Sequence, residues 1–241
     1  MIASRDEPQP VTIRVDAAQC VSGLFQCPQH ATACCVLAHG AGAGMAHPFM
    51  AAIAEALAER NVATLRYQFP YMERGSKRPD RPELAQATVR AAVAEASRLV
   101  PGLALVAGGK SFGGRMTSQA QAASPLPGVR GLVFLGFPLH SPGQPSDQRG
   151  KHLFEVRCPM LFLQGMRDEF ADLTLLRPLV EQLGARATLR LFEEADHSFH
   201  VPARTGRKDS QVRAEMSDAL VEWIEREGFL LRTAPDGFDI P

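Results

Sequence analysis

Apolar segments of two different periodicities alternate along this chain. Short continuous apolar runs, such as 34–38, have the length of strands that are buried on both faces. Other segments carry apolar residues every three or four positions, as in Phe49, Ile53 and Leu57, and these predict amphipathic helices. Because strands that alternate with helices pair in parallel through right-handed crossovers, the order predicts an α/β fold with helices on both faces of a sheet.

The alternation predicts about eight strands. An initial hairpin is expected from the alternating residues at 11–15 and the short apolar run at 23–25. The other strands are predicted at 34–38, 62–67, 103–107, 132–135, 160–163 and 188–192, and the helices at about 47–60, 83–100, 113–123, 173–183 and 216–224. We expect one domain over residues 1–241, with its core at about 11–230 and a C-terminal tail at 232–241.

Bulk composition narrows the possible functions. Of the 241 residues, 45% are hydrophobic, which suits a sizeable core, and 26 basic residues balance 26 acidic ones. Since nucleic-acid binding calls for a basic surface, we expect no nucleic-acid partner. The N-terminal segment lacks the pattern of a signal peptide, and no apolar run is long enough to span a bilayer. We therefore expect a cytoplasmic protein without membrane contact.

The cysteines are expected to be reduced and structural. Their number is odd, and a chain of this size does not need disulfides for stability. None of them has the spacing of a zinc site, so no metal is expected. The five residues are Cys20, Cys27, Cys34, Cys35 and Cys158.

The segment GGKSFGG at 108–114 contains two overlapping patterns. It includes G-x-S-x-G, in which Ser111 would be a nucleophile, and it includes the Gly-Lys-Ser triplet that ends a phosphate-binding P-loop. A third interpretation is a tight turn of small residues without chemistry. A P-loop requires a glycine five residues before Gly109, where this chain has Ala104 in a predicted strand. The phosphate-binding interpretation therefore fails.

The position of the motif favours a nucleophile elbow. It follows a predicted strand and precedes a predicted helix, as such an elbow requires. Gly109 and Gly113 leave room for a strained turn, and the N–H of Phe112 at the helix start can stabilise an oxyanion. A second donor is expected from the loop HGAGAG, where Gly40 lets a substrate approach the backbone and the N–H of Ala41 faces its carbonyl.

A serine nucleophile needs a base, and the base needs an orienting acid. The segment EEADHSFH follows the last predicted strand and supplies His197 and His200, of which we favour His197. The loop after the preceding strand supplies Asp168 and Asp172. Asp172 directly precedes an apolar helix and is expected to be its N-cap, so Asp168 is the candidate acid.

Six segments between about residues 33 and 227 form a linked set. They are LAHGAGAG, LRYQFPYME, GGKSFGGR, GFPLH, LQGMRDEF and DHSFHVPAR. Together they resemble the α/β-hydrolase superfamily, and more narrowly a small dienelactone-hydrolase-like group whose eukaryotic relatives include testis-expressed and histone-acetyltransferase-complex regulatory proteins. The resemblance implies the usual hydrolase sheet, with the hairpin as its antiparallel edge. It also implies Ser111, Asp168 and His197 as the catalytic triad.

These observations predict a serine hydrolase that cleaves a carboxylic ester or thioester through an acyl-enzyme on Ser111, with no metal or organic cofactor. Some relatives in the group serve as interaction modules, so the alternative is a weakly active or non-catalytic binding module. No long insertion follows the strand at 132–135. We therefore expect no large cap domain and an open site for a small-molecule substrate, while the oligomeric state is left open.

Loops at the strand ends supply candidate substrate-binding residues. Arg204 and Arg207 are either cations of the site or solvated surface residues, and Lys110 is assigned no role. The candidates favoured for substrate binding are Arg66, Tyr67, Phe69, Tyr71 and His140.

Overall fold

The structure is a computed structural model that describes residues 7–230, so the predicted tail at 232–241 lies outside the described residues. The strands are β1 (Gln9–Arg14), β2 (Cys20–Gln26), β3 (Ala33–Ala38), β4 (Val62–Tyr67), β5 (Ala104–Lys110), β6 (Val129–Leu135), β7 (Met160–Gly165) and β8 (Ala187–Phe192). The α-helices are α1 (Pro48–Ala58), α2 (Pro70–Glu73), α3 (Pro82–Leu99), α4 (Phe112–Ala123), α5 (Leu173–Leu183) and α6 (Asp209–Arg226). Short 3₁₀ helices lie at Gln148–Glu155, Gly184–Arg186 and Ala203–Thr205.

The eight strands form one sheet in the order β1-β2-β4-β3-β5-β6-β7-β8. Strands β3 to β8 run parallel, whereas β2 pairs antiparallel with both β1 and β4. This confirms the predicted mostly parallel sheet with an antiparallel N-terminal edge. Because the carboxyl ends of parallel strands meet at one edge, the loops after β3, β5, β7 and β8 come together there.

Helices cover both faces of the sheet, as predicted. On one face α1 and α6 pack together, and their residues Ile53 and Trp223 join a buried apolar cluster. On the other face α3, α4 and α5 contribute to a second cluster that includes Met116, Leu176 and Phe134. Every residue of β3 is buried, as expected for a strand between two layers of helices. None of the helices within 7–230 is long and apolar enough to cross a membrane.

Two short helices occupy segments that the sequence predicts as loops. Helix α2 begins at Pro70, whose fixed φ suits the first position of a helix, but its four residues are too few to show a helical period. The 3₁₀ helix at Gln148–Glu155 lies between β6 and β7. It is the regular element in that connection, so the predicted absence of a large cap domain is confirmed for this part of the chain.

None of the five cysteines, all of which lie within the described residues, forms a disulfide bond. Cys34 and Cys35 are fully buried in β3. Burial raises the pKa of both thiols, to about 12 for Cys35, so they remain protonated members of the core.

Candidate active site

Ser111 lies at the turn between β5 and α4, where the backbone is strained. Its φ of 50° and ψ of −114° lie outside the regions that non-glycine residues prefer. A Cβ at Gly109 would lie 2.1 Å from the carbonyl oxygen of Ala38, and a Cβ at Gly113 would lie 2.6 Å from the same oxygen. The two glycines of the motif are therefore a steric requirement of this turn.

His197 connects Ser111 to Asp168. Its Nε2 lies 2.9 Å from the Ser111 Oγ, and its Nδ1 lies 2.7 Å from the Asp168 Oδ2. Because an ionised carboxylate can only accept, Nδ1 carries the ring proton and Nε2 is left to accept from the serine hydroxyl. Phe170 packs on the ring, with centroids 4.3 Å apart. The imidazole is thus placed to take a proton from Ser111.

Asp168 is buried, and both of its oxygens are engaged. Oδ1 accepts from the N–H of Phe170 at 2.8 Å, and Oδ2 accepts from the Nε2 of Gln164 at 2.5 Å as well as from His197. Gln164 is itself buried, and its Oε1 accepts from the N–H of Phe137. Sequence reasoning missed Gln164, whose signal is its position four residues before the candidate acid.

The competing acid and base make other contacts. Asp172 caps α5, with its Oδ1 accepting from the N–H of Thr174 at 2.8 Å, which confirms the predicted cap. The Nδ1 of His200 lies 3.0 Å from Asp209 at the exposed start of α6. Neither Asp172 nor His200 lines the cavity at Ser111.

A cavity of about 310 Å³ opens beside Ser111 and His197. Besides Ser111 and His197, the cavity is lined by apolar, small and polar residues. They are Phe49, Met50 and Phe170; Gly40, Ala41 and Ala43; and His47, Lys110 and Ser198. This volume lies at the lower end of the range for ligand pockets, so it suits a small ligand.

Both predicted oxyanion donors belong to segments that flank Ser111. Phe112 is the first residue of α4, where backbone N–H groups lack partners within the helix. Ala41 lies in the exposed loop after β3 and lines the cavity. That loop adjoins the elbow, because the carbonyl oxygens of Ala38 and His39 both approach Gly113.

His39, which the sequence analysis passed over, holds the start of this loop. It is fully buried, its Nδ1 donates to the carbonyl of Gly40 at 2.7 Å, and its Nε2 accepts from the N–H of Phe69 at 3.1 Å. Burial lowers the pKa of His39, and the bond to the Gly40 carbonyl offsets this in part. The ring is therefore neutral, and Phe69, expected to bind substrate, packs edge-on against it instead.

Tyr71 and Arg66 also hold the loop rather than line the cavity. The Tyr71 hydroxyl accepts from the N–H of Gly42 at 3.2 Å, and the Arg66 guanidinium donates to the carbonyl of Met45 at 3.2 Å. Both side chains are buried, which their polar character did not suggest. The expectation that they contact substrate is corrected: they are supports of the loop that carries Ala41.

Two further expectations about substrate binding are also corrected. Tyr67 is fully buried in the core beside Phe69. His140 is buried, its Nδ1 donates to the carbonyl of Ser141, and its Nε2 accepts from the N–H of Asp172. Neither residue lines the cavity, because each side chain is turned into the protein.

The two arginines considered as cations of the site form exposed ion pairs. Arg204 contacts Glu194 at 2.5 Å, and Arg207 contacts Glu215 at 2.6 Å. Both are surface residues, which was the second of the two interpretations offered for them.

Lys110, to which no role was assigned, reaches from the end of β5 to the base. Its Nζ donates to the backbone carbonyl of His197 at 2.6 Å. The contact joins residues 87 positions apart in sequence, so no local pattern could reveal it.

Within 7–230 no cluster of three His, Cys, Asp or Glu side chains could hold a metal ion.

Comparison with known proteins agrees with this fold. A family model described as alpha/beta hydrolase domain matches residues 31–225. The chain therefore belongs to the α/β-hydrolase domain family, as the resemblance implied.

Three solved structures share the fold. A dienelactone hydrolase from Anabaena variabilis is 22% identical with a TM-score of 0.71, over 91% of this chain and 98% of that one. A serine hydrolase without lid from Xanthomonas campestris is 20% identical with a TM-score of 0.71, over 95% and 97%. The esterase domain of a Rhodothermus marinus protein is 16% identical with a TM-score of 0.68, over 91% and 98%. They extend the likeness of the fold across nearly the whole described part of the chain.

Proposed function

We propose that this protein is a serine hydrolase that cleaves a carboxylic ester or thioester through an acyl-enzyme on Ser111. The observation that carries the proposal is the continuous hydrogen-bonded series from the Ser111 Oγ through His197 to the buried Asp168. Membership of the α/β-hydrolase family and the likeness to esterase structures support it.

In the first half of the reaction, the Ser111 oxygen attacks the acyl carbon while the Nε2 of His197 takes the hydroxyl proton. The carboxylate of Asp168 holds the Nδ1–H tautomer and stabilises the imidazolium that forms. The N–H groups of Phe112 and Ala41 bind the negative charge on the substrate oxygen, an interaction whose loss typically reduces the rate about 10²- to 10³-fold. His197 then gives its proton to the leaving alcohol or thiol.

In the second half, His197 removes a proton from a water molecule, whose oxygen attacks the acyl carbon. The bond from the acyl carbon to the Ser111 oxygen then breaks, and His197 returns the proton to that oxygen. The same base and the same donors serve both halves, so no metal or organic cofactor is needed in this mechanism.

The cavity supports a small substrate. Its volume of about 310 Å³ and its wall of Phe49, Met50 and Phe170 favour a short aliphatic or single-ring acyl group over a long chain. A series of p-nitrophenyl esters and matched thioesters of increasing acyl length would test this, and kcat/KM should be highest for the short members.

Labelling with a fluorophosphonate probe tests the proposal itself. Wild-type protein should be labelled and should hydrolyse short esters, whereas Ser111→Ala should do neither. Ser124→Ala is a matched control, since Ser124 is an exposed residue at the other end of α4 and should leave both activities intact. A folded wild-type protein that the probe does not label would instead favour a binding module without turnover.

A further inference from the structure

Lys110 is an unusual residue to find beside a nucleophile. It is the last residue of β5, directly before Ser111, and its partly buried side chain reaches the base loop at 195–200. Its Cγ passes close to Gly40, and its Nζ lies 3.2 Å from the position that a Cβ at Gly136 would occupy. A side chain at Gly136 would crowd the ammonium, whereas one at Gly40 would make an ordinary contact with the lysine.

The Nζ meets a set of electron-rich groups around His197. It donates to the His197 carbonyl at 2.6 Å and lies 5.6 Å from the centre of the Phe199 ring. The negative charges of Asp168, after β7, and of Asp196, after β8, favour its charged form. The ammonium therefore joins the nucleophile strand to the loops that carry the base and the acid.

We propose that Lys110 is a positioning residue: its charged ammonium fixes the backbone of His197 to the strand that carries Ser111, and so sets the base against the nucleophile. A charged donor makes a stronger hydrogen bond to a carbonyl than a neutral amine does. The role rests on the proposed hydrolysis, in which Lys110 acts through His197.

The position of the lysine also makes this contact dependent on pH. Burial lowers the pKa of Lys110 to about 8, although Asp168 and Asp196 act in the opposite direction. Above this pH the ammonium loses its charge and the bond to the His197 carbonyl weakens. Other titratable groups near it are His197 and, across the cavity, His47. We expect kcat of the wild-type protein to fall along an alkaline limb with a midpoint near pH 8.

Lys110→Met tests the role through kinetics. Near pH 7 its kcat for a short p-nitrophenyl ester should be roughly 10- to 100-fold lower, because small misplacements of a catalytic group cost rates of this order. Its KM should change little, and the alkaline limb should disappear. Lys151→Met, a change at an exposed lysine, is the matched control and should keep the wild-type profile. If Lys110→Met does not fold, Lys110→Arg is used in its place. The arginine keeps its charge at high pH, so the alkaline limb near pH 8 should also disappear in Lys110→Arg.

Hydrogen exchange gives a readout that does not need turnover. The backbone amides of Asp196, Phe199 and His200 are hydrogen-bonded within the base loop, and their exchange should accelerate in the substituted protein while exchange in β3 stays unchanged. A wild-type protein that the fluorophosphonate probe does not label would refute the proposed function, and the exchange of the loop would then decide the role of Lys110 alone. The role of Lys110 would be overturned by unchanged hydrogen exchange in the base loop of Lys110→Met. It would also be overturned if Lys110→Met kept the wild-type kcat and the alkaline limb.

Discussion

The two sides of the cavity at Ser111 are held by different kinds of contact. On the oxyanion side, two neutral groups hold the loop after β3: His39 donates to Gly40, and the Tyr71 hydroxyl accepts from Gly42. The Arg66 guanidinium also holds this loop, through the carbonyl of Met45. On the base side, His197 lies between the carboxylate of Asp168 and the ammonium of Lys110, each at hydrogen-bonding distance from a different part of the residue.

This difference predicts that pH affects the two sides unequally. Burial lowers the pKa of His39 from 6.5 and raises the pKa of Tyr71 from 10.0. Both side chains therefore stay neutral between pH 6.5 and pH 10.0. Lys110, with a pKa of about 8, changes its charge within the same interval. Substitutions on the oxyanion side should therefore scale the rate by a constant factor, whereas those on the base side should also change its pH dependence.

The largest expected effect is on the base side, at Asp168. Asp168→Asn keeps the size of the side chain but removes the negative charge that holds the Nδ1–H tautomer of His197. We expect kcat to fall by roughly 10³- to 10⁴-fold, as for the loss of the acid in other triads. Steady-state ester hydrolysis measures the loss.

Asp172→Asn is the matched control for this substitution. Asparagine is as good an N-cap as aspartate, so α5 should keep its start and the protein should keep its activity and stability. A large loss of kcat in Asp172→Asn, with activity retained in Asp168→Asn, would exchange the roles of the two residues.

A smaller effect is expected on the oxyanion side, at Tyr71. Tyr71→Phe removes the hydroxyl that accepts from Gly42 and loosens the loop that carries Ala41. We expect kcat to fall roughly 10-fold, less than for the loss of an oxyanion donor itself. The factor should be the same at pH 6.5 and pH 9, and a factor that changes with pH would remove the distinction between the two sides. Tyr67→Phe, in the core, should leave kcat unchanged.

Features set by local sequence were predictable. The elbow was visible because steric limits at a tight turn select glycine at fixed positions, as at Gly109 and Gly113. The cap role of Asp172 was likewise predictable, since an N-cap bonds to N–H groups two or three residues away. The sheet followed from the alternation of apolar patterns, which reports which segments are buried.

Contacts between distant segments were not predictable in this way. Arg66, Tyr67 and Tyr71 lie near the end of a strand at the correct edge of the sheet, but their direction depends on side chains elsewhere that occupy the space around them. The same limit hid Lys110, whose partner His197 is far away in the chain, and Gln164, whose second partner is Phe137. A single sequence can place such residues at the edge of the sheet, but it does not show which side chains contact each other.

The proposed reaction depends on an acyl-enzyme at Ser111, and rapid quenching with acid can trap that intermediate. Mixing excess p-nitrophenyl ester with the protein and quenching within milliseconds should trap an intermediate for intact mass measurement and peptide mapping. We expect one added acyl group, on the peptide that contains Ser111, in the wild-type protein and none in Ser111→Ala. Sustained hydrolysis in Ser111→Ala, or an acyl group that forms on a different residue during turnover, would contradict it.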